Sequence, residues 1–349
     1  IGSASRFSLA LGAKKEDEAA LAVGNAFVMM VVFGIVYFIA IEIFLDPLLT
    51  AFGATADVMP YARSYTRITA IGMPFLIITN GMSNLARADG SPKYSMVCML
   101  VGAILNTILD PIFIFVLHTG VAGAALATII GQFFSFLMAV SYLRKFKHIE
   151  LKRRHFSLRP AECVKIASLG MSNSLNQVAL TFVQIVLNNS LTYYGARSIY
   201  GSEIPLACCG IVMKTNAILL SVIIGISQGS QPIIGFNYGA RQYARVRGIY
   251  KLAIGCNLVI SAIGFILFQF FPRQIIGLFG NGDELYFDFA EKFMRIFLIP
   301  LILILPLLFG INGIMFAAPV ADSIAFITTM IIITLEFRHM RRLEHVSAA

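Results

Sequence analysis

Tryptophan is absent from this chain, and charged residues make up only 13% of it. Soluble domains carry about 25% charged residues, so this low charge excludes an ordinary soluble globular protein. Hydrophobic residues reach 58%, and the mean hydropathy is +0.81. The composition therefore predicts an integral membrane protein that crosses the bilayer several times. Without tryptophan, any aromatic belt at the membrane surface must consist mainly of the 12 tyrosines.

Cysteine is scarce as well, and the enzyme motifs that a chain of this length often carries are missing. The five cysteines lie in or beside apolar segments and lack the spacing of a metal site or a disulfide framework. Neither an H-E-x-x-H zinc motif nor a P-loop occurs. Residues Gly225 to Gly229 match the G-x-S-x-G pattern of serine hydrolases, but they lie within an apolar segment with no strand before it. We therefore predict a protein that is not an enzyme and that uses no cofactor.

Long apolar runs separated by polar turns predict nine to ten membrane helices. Nine of these spans can be placed, at about 19–45, 64–85, 94–117, 121–143, 163–192, 204–231 and 246–271, from 285 onward, and at 313–336. The predicted fold class is an all-α integral membrane protein.

The positive charge is unevenly distributed along the chain. The most basic stretch is 144–160, which we interpret as a linker between an N-terminal lobe at 1–143 and a C-terminal lobe at 161–337, followed by a basic tail at 338–349. If the linker faces the cytoplasm, most of the 27 Lys and Arg fall on that side, as the positive-inside rule requires. This distribution explains the net charge of +9 better than nucleic-acid binding, for which no presenting domain exists.

An internal repeat divides the chain into two related halves. Gly2-Ser3 with Gly12-Ala13 matches Gly229-Ser230 with Gly239-Ala240, and the matches continue at other paired positions: Phe52-Gly53 with Phe279-Gly280, Arg67-Ile68 with Arg295-Ile296, and Gly120 to Gly123 with Gly310 to Gly313. The two segments of the last pair are separated by fewer residues than those of the other pairs. The second half is therefore shorter than the first by about two spans. The repeat predicts a parent of twelve helices in two six-helix lobes. We expect this chain to lack the first two helices and the middle of the second half.

Polar residues gather where the third and fourth spans meet. Asn106 and Asp110 are four residues apart and share a helix face. At about 1.5 Å per residue, Asp110 and Thr128 both lie roughly 12–14 Å from the turn at Thr119-Gly120, near the middle of the hydrocarbon core. A carboxylate at that depth normally faces the protein interior with a partner. Together an amide, a carboxylate and a hydroxyl predict a site for a proton or Na⁺. The alternative is that Asp110-Pro111 only marks a helix bend.

With two six-helix halves established, the motifs identify a family. The chain resembles the multidrug and toxic compound extrusion (MATE) transporters, most closely those of bacteria, over nearly its whole length. The resemblance rests on the order and spacing of motifs that are weak singly: Gly2-Ser-Ala4 with Ala10-Leu-Gly-Ala13, Ala86-Arg-Ala-Asp-Gly-Ser-Pro-Lys93, Asn106-Thr-Ile-Leu-Asp-Pro111, Gly120-Val-Ala-Gly-Ala-Ala-Leu-Ala-Thr128, Gln231-Pro-Ile-Ile-Gly-Phe-Asn-Tyr-Gly-Ala240 and Ala318-Pro-Val-Ala-Asp322.

The resemblance implies a cation-coupled antiporter that works by alternating access in the bacterial cytoplasmic membrane, with the linker and the tail inside. Small organic drugs, often cationic, would leave the cell as Na⁺ or H⁺ enters. Family members bind the cation in the first lobe, which here corresponds to Asn106, Asp110 and Thr128. The family also uses an acidic residue on its first helix, which this chain lacks, so the site is incomplete. We expect a monomer with the lipid bilayer and small molecules as its partners.

Other polar positions are candidates for a substrate cavity. They are Asn176, Gln177, Gln184, Asn188, Asn216 and Asp322. Gln177, Gln184 and Asn188 lie near one helix face, where amides bind cations without carrying a charge. The alternative is hydrogen bonding between helices. Asp322, in the middle of a span after Pro319, is a candidate protonation site of the second lobe.

Two other functions stay open at this point. A flippase for lipid-linked precursors shares the two-lobed architecture, but it requires several buried basic residues, for which only Lys214 is a candidate. The third possibility is an inactive partial polypeptide.

Overall fold

The computed structural model describes residues 1–51, 58–197, 199–201, 203–279 and 283–296, together with residue 338. Within these ranges the regular secondary structure is helical throughout, which confirms the predicted all-α class. The α-helices are α1 (Gly2–Gly12), α2 (Glu16–Ile43), α3 (Leu45–Ala51), α4 (Met59–Ala88), α5 (Pro92–Pro111), α6 (Gly120–Ser141), α7 (Pro160–Gly195), α8 (Glu203–Gly239), α9 (Tyr243–Phe270), α10 (Pro272–Gly277) and α11 (Glu284–Ile296).

Six described helices are long and apolar enough to cross a membrane. They are α2, α4, α5, α6, α8 and α9, and they cover the first four predicted spans and the sixth and seventh. Helix α7 covers the fifth predicted span with 36 residues but is not among the six, because repeated Asn and Gln residues interrupt its apolar sequence. Helix α11 begins where the eighth span was predicted. The loop at 52–57, the ninth predicted span and nearly all of the tail lie outside the described residues.

The first compact unit comprises Ile1–Ser172 with Gln231–Gln242. Its core lies where α1, α2, α4 and α6 meet the linker, and large side chains such as Phe7 and Leu85 are fully buried there. The first turns of α2 are buried in this core, whereas its far half exposes side chains such as Phe33 and Val36. A hydrophobic exterior is what a lipid-facing helix requires. The predicted lobe boundaries at 143 and 161 stay a prediction.

The second compact unit comprises Asn173–Ser230 and Tyr243–Ala349. Its described core is formed by residues of α7, α8, α10 and α11, which are Leu187, Leu191, Cys208, Cys209, Val212, Ile276, Phe289, Ala290, Phe293 and Met294. The described cysteines are free thiols, and Cys98, Cys208 and Cys209 are buried, as side chains used for packing should be. Cys256, in contrast, is exposed.

The hairpin of α5 and α6 positions the candidate site. Helix α5 ends at Pro111, and one wider π-helical turn, Ile112–Val116, follows it. The reversal occurs at Thr119 and Gly120, as predicted, and Thr119 Oγ1 donates a hydrogen bond to the Phe113 carbonyl at 2.6 Å. Gly120 has φ +58°, a left-handed conformation that glycine adopts without strain.

The two arms of this hairpin approach each other closely at a pair of glycines. A Cβ added to Gly102 would overlap Ser135 Oγ and the Gly131 carbonyl, and a Cβ on Gly131 would overlap the Gly102 carbonyl oxygen. Ala125 and Ala127 of α6 are also fully buried. The glycine contact brings the polar face of α5 against that of α6.

Candidate functional site

Asn106 joins the two helices at the centre of the predicted cation site. Its Nδ2 donates a hydrogen bond to Asp110 Oδ1 on the same helix at 3.2 Å. The same nitrogen donates to Thr128 Oγ1 on α6 at 3.3 Å. The structure thus brings together the three side chains that the sequence proposes, although cation binding by them stays a prediction.

The hydroxyl of Thr128 is oriented by its own helix. Thr128 Oγ1 donates its proton to the Ala124 carbonyl at 2.9 Å. The hydroxyl oxygen therefore acts as the acceptor of the hydrogen bond from Asn106. All three side chains of the site are half-buried. One Asp110 oxygen, Oδ1, accepts the Asn106 amide.

A cavity of about 210 Å³ adjoins the site in the first unit. Asn106 and Thr128 form part of its wall, whereas Asp110 is not among the lining residues. The other lining residues are Leu76, Thr79, Asn80, Met99, Gly102, Ala103, Gln132 and Ser135. The wall therefore combines amides and hydroxyls with apolar side chains, and its lining carries no charged residue.

Two polar atoms around this cavity have no hydrogen-bond partner among the described residues. They are Thr79 Oγ1, on a residue that is 5% exposed, and Gln132 Oε1. A buried polar group without a partner costs roughly 1–3 kcal/mol. Both atoms are therefore available to a water molecule or to a bound ligand.

Sequence reasoning missed Gln132 and Ser135, although a signal for them existed. Thr128, Gln132 and Ser135 follow one another at intervals of four and three residues, which places them on one face of α6. Thr79 and Asn80 could not be found in the same way, because only the packing of α4 against α6 brings them to the cavity.

The predicted substrate residues lie elsewhere in the chain. On α7, Gln184 Nε2 donates to Asn188 Oδ1 at 3.1 Å, and both side chains are half-buried. Asn176 and Gln177 are exposed, and Asn216 on α8 is half-buried. Asp322 lies outside the described residues. The role of this set in substrate binding stays a prediction.

The hydrolase-like pattern has a structural explanation. Ser227 lies inside α8, and its Oγ donates to the Ile223 carbonyl at 3.0 Å, as a helical serine does. A nucleophile elbow requires a sharp turn between a strand and a helix, and α8 provides neither. Within the described ranges, no group of three His, Cys, Asp or Glu residues is arranged to hold a metal ion.

A set of membrane helices that holds a carboxylate, an amide and a hydroxyl in contact beside a small cavity is typical of membrane transporters. The family then follows from the sequence itself. The chain belongs to the MatE family, whose model matches residues 1–112 and 174–336. The resemblance inferred from the motifs is confirmed.

Curated relatives include two bacterial proteins. The multidrug export protein MepA of Staphylococcus aureus is 23% identical over 372 residues, which cover 96% of this chain and 80% of MepA. The probable multidrug resistance protein YoeA of Bacillus subtilis is 25% identical over 294 residues, which cover 81% of this chain but only 62% of YoeA. The alignment with MepA is longer than the 349 residues of this chain, so MepA has residues at internal positions where this chain has none.

Solved structures agree with the helical fold. The crystal structure of MATE in the straight conformation matches with a TM-score of 0.82 at 20% identity, and the match covers 98% of this chain and 84% of that one. At this level of identity the likeness shows the fold alone.

Proposed function

We propose that this chain acts as a cation-coupled efflux antiporter that moves small organic drugs, often cationic, out of the cell as Na⁺ or H⁺ enters. The observation that carries the proposal is the Asn106 amide, which bonds Asp110 and Thr128 at once beside a cavity. Membership of the MatE family supports it, as do the curated names of the relatives.

The chemistry of the three side chains suits a small hard cation. Na⁺, like other hard cations, prefers oxygen ligands, and the site holds a carboxylate, a hydroxyl and an amide. Half a rotation of the Asn106 amide would exchange its NH₂ for Oδ1. The amide oxygen would then join Thr128 Oγ1 and the Asp110 carboxylate around one ion. A proton on Asp110 would compete with that ion for the same oxygens.

The shared wall suggests how ion and drug are coupled. Asn106 and Thr128 belong to both the cation site and the cavity lining. A change of ion occupancy that turns these side chains therefore changes the cavity surface at the same time. Coupling requires such a differential interaction, because a ligand shifts a conformational equilibrium only by its difference in affinity for the two states.

The proposed membrane location follows from the apolar surfaces of the helices, and the proposed orientation follows from the positive charge of the linker and the tail. We propose a monomer in the bacterial cytoplasmic membrane, with the basic linker and the tail on the cytoplasmic side, where the positive-inside rule places them. The site has no resident cofactor in this proposal, and the coupling ion is a transported species.

A flippase for lipid-linked precursors is the weaker alternative. Its substrate carries a pyrophosphate, which calls for several basic residues in the cavity, and the first-unit cavity is lined by none. An inactive partial polypeptide is the remaining alternative.

Efflux of ethidium, an organic cation, from cells that express this chain tests the proposal. Asp110→Asn keeps the shape of the side chain but removes the charge, so we expect efflux to fall to that of cells without the protein. Asp46→Asn is the matched control, because Asp46 is exposed and pairs with Arg63 at 2.8 Å, away from the site. Equal membrane abundance of all variants is verified by immunoblot.

A second measurement separates the site from the transport cycle. Na⁺ should raise the midpoint of thermal unfolding of the purified wild-type protein relative to K⁺, because a ligand that binds only the folded state stabilises it. Asp110→Asn should lose this difference. Wild-type efflux by Asp110→Asn would refute the antiporter mechanism proposed for this site, and absence of efflux by the wild-type chain would support the inactive alternative.

A further inference from the structure

The linker at 144–160 is folded and fixed to the first unit. It begins with a 3₁₀ turn at Tyr142–Arg144, directly after α6, and contains a second one at Arg153–Phe156. The side chains of Tyr142 and Ile149 are buried in the core of the first unit. A chain segment with buried apolar residues does not behave as a free tether.

Asp89 anchors the beginning of the linker. Its carboxylate is fully buried in the loop between α4 and α5. Oδ2 accepts hydrogen bonds from Tyr142 Oη and from the Lys147 backbone N–H, both at 2.8 Å, and Oδ1 lies 2.9 Å from His148 Nδ1. One buried carboxylate thus holds Tyr142, just before the linker, and two residues within the linker.

Asn25 anchors its end. The Asn25 side chain is fully buried on α2. Its Oδ1 accepts the Arg159 backbone N–H at 2.7 Å, and its Nδ2 donates to the His155 carbonyl at 3.2 Å. The ring of His155 is also buried and lies 3.1 Å from Asp17 through Nε2. These anchors engage backbone groups and the side chains of Tyr142, His148 and His155, so the Lys and Arg side chains of the linker remain outside.

The outer surface of the linker is strongly basic. Its exposed cationic residues are Arg144, Lys145, Lys147, Lys152, Arg153, Arg154 and Arg159. Glu150 is the only acidic residue in the stretch. Of these seven cations, only Arg154 pairs with a carboxylate among the described residues, and that carboxylate is Asp17. The other six cations form no ion pair with a described residue.

A groove beneath the linker does not explain this charge. It has a volume of about 810 Å³ and carries Glu16, Asp17 and Glu150 together with Lys147 and Lys152. Acidic and basic groups oppose one another there, so the groove does not attract an anion strongly. The other five cations of the linker do not line this groove, so most of its positive charge lies outside the groove.

We propose that the folded linker, defined as residues 144–160, is a binding surface for the headgroups of anionic phospholipids. It follows α6 without a spacer, so its cations lie where a membrane helix leaves the bilayer. Clusters of Lys and Arg at that position attract acidic lipids. The positive-inside rule acts during membrane insertion and depends only on the number of positive charges. It does not require the folded arrangement that Asp89 and Asn25 hold in place.

Thermal unfolding of the whole chain in detergent micelles with added lipid tests this surface. A thiol-reactive dye reports unfolding, because Cys98, Cys208 and Cys209 are buried, while the exposed Cys256 reacts at the start and sets the baseline. Phosphatidylglycerol should raise the unfolding midpoint by about 5 °C more than phosphatidylcholine does. Since surface electrostatics are screened by salt, high salt should remove most of this difference.

The decisive variant removes four cations for which the structure shows no side-chain partner. The changes are Arg144→Gln, Lys152→Gln, Arg153→Gln and Arg159→Gln, and they should abolish most of the rise caused by phosphatidylglycerol. A charge-retaining variant, Arg144→Lys, Lys152→Arg, Arg153→Lys and Arg159→Lys, should keep it. A second control neutralises four exposed cations outside the linker, at Arg63, Arg67, Arg197 and Arg273, and should also keep the lipid-induced rise even where its starting midpoint is lower.

Three outcomes would overturn the inference. One is an undiminished response of the four-cation variant to phosphatidylglycerol. Another is an equal response of the wild-type protein to phosphatidylcholine. The third is an equal stabilisation by soluble glycerophosphate, which would indicate a site for a free anion instead of a membrane surface. Asp110→Asn should respond to the lipid like the wild-type protein, so this test succeeds or fails independently of the proposed transport function.

Discussion

Two polar groups in this protein are built on the same sequence spacing and differ in what surrounds them. Asn106 and Asp110 on α5 are four residues apart, as are Gln184 and Asn188 on α7, and each pair is hydrogen-bonded within its helix. The first pair extends to a second helix, through Thr128 on α6. The first pair contains a carboxylate, whereas the second consists of two amides, and Asn106 of the first pair lines a cavity in the first unit.

The difference shows what a four-residue spacing can and cannot predict. Spacing places two side chains on one helix face, and both pairs satisfy that rule. A site with ligands from two helices needs a close approach, which Gly102 and Gly131 provide for α5 and α6. For the pair on α7, the hydrogen bond between Gln184 and Asn188 follows from the spacing alone.

The largest effect is expected when the close approach itself is removed. Gly131→Leu places a side chain against the Gly102 carbonyl, so α5 and α6 must separate, at a cost of about 3 kcal/mol. We expect a lower unfolding midpoint and loss of stabilisation by Na⁺. Gly225→Leu is the control, because an added Cβ there meets open space. If Gly131→Leu retained the response to Na⁺, the glycine contact would not be what assembles the site.

An intermediate effect is expected at the hydroxyl that crosses the helix boundary. Thr128→Val keeps the shape of the side chain but removes the acceptor of the Asn106 hydrogen bond, so the apparent affinity for Na⁺ should fall about tenfold. Thr107→Val is the matched control. Thr107 bonds the carbonyl of its own helix at 2.8 Å, as Thr128 does, but its side chain is exposed. Ion titrations of thermal stability measure both variants, and equal affinities would contradict a role for Thr128 as a ligand.

The smallest effect is expected on α7. Gln184→Leu removes one half-exposed hydrogen bond to Asn188, which contributes about 1 kcal/mol or less. The response to Na⁺ should therefore match that of the wild-type protein. Ethidium efflux would change only if the predicted substrate role of these amides holds. A loss of Na⁺ stabilisation in Gln184→Leu would instead show that the pair on α7 is energetically coupled to the site on α5 and α6.

Several features were predictable because they depend on neighbours in sequence. The turn at Thr119-Gly120 and the pairing of Asn106 with Asp110 both follow from residues within a few positions of each other. The cavity was not predictable to the same extent. Thr79 comes from α4, far from α5 and α6 in sequence, and nothing in its own helix distinguishes it from a threonine that faces lipid. The anchors of the linker, Asp89 and Asn25, were missed for the same reason.

By itself, the sequence determined the membrane class, most of the helices and the family, because these depend on composition, on local periodicity and on the order of motifs along the chain. Only the tertiary structure decided that Thr128 accepts the Asn106 amide, that a cavity adjoins them and that the linker is held by buried carboxylate and amide groups. These contacts join residues that are distant in sequence. Their formation depends on how closely whole helices approach, and in this protein glycine pairs and buried polar groups set that approach.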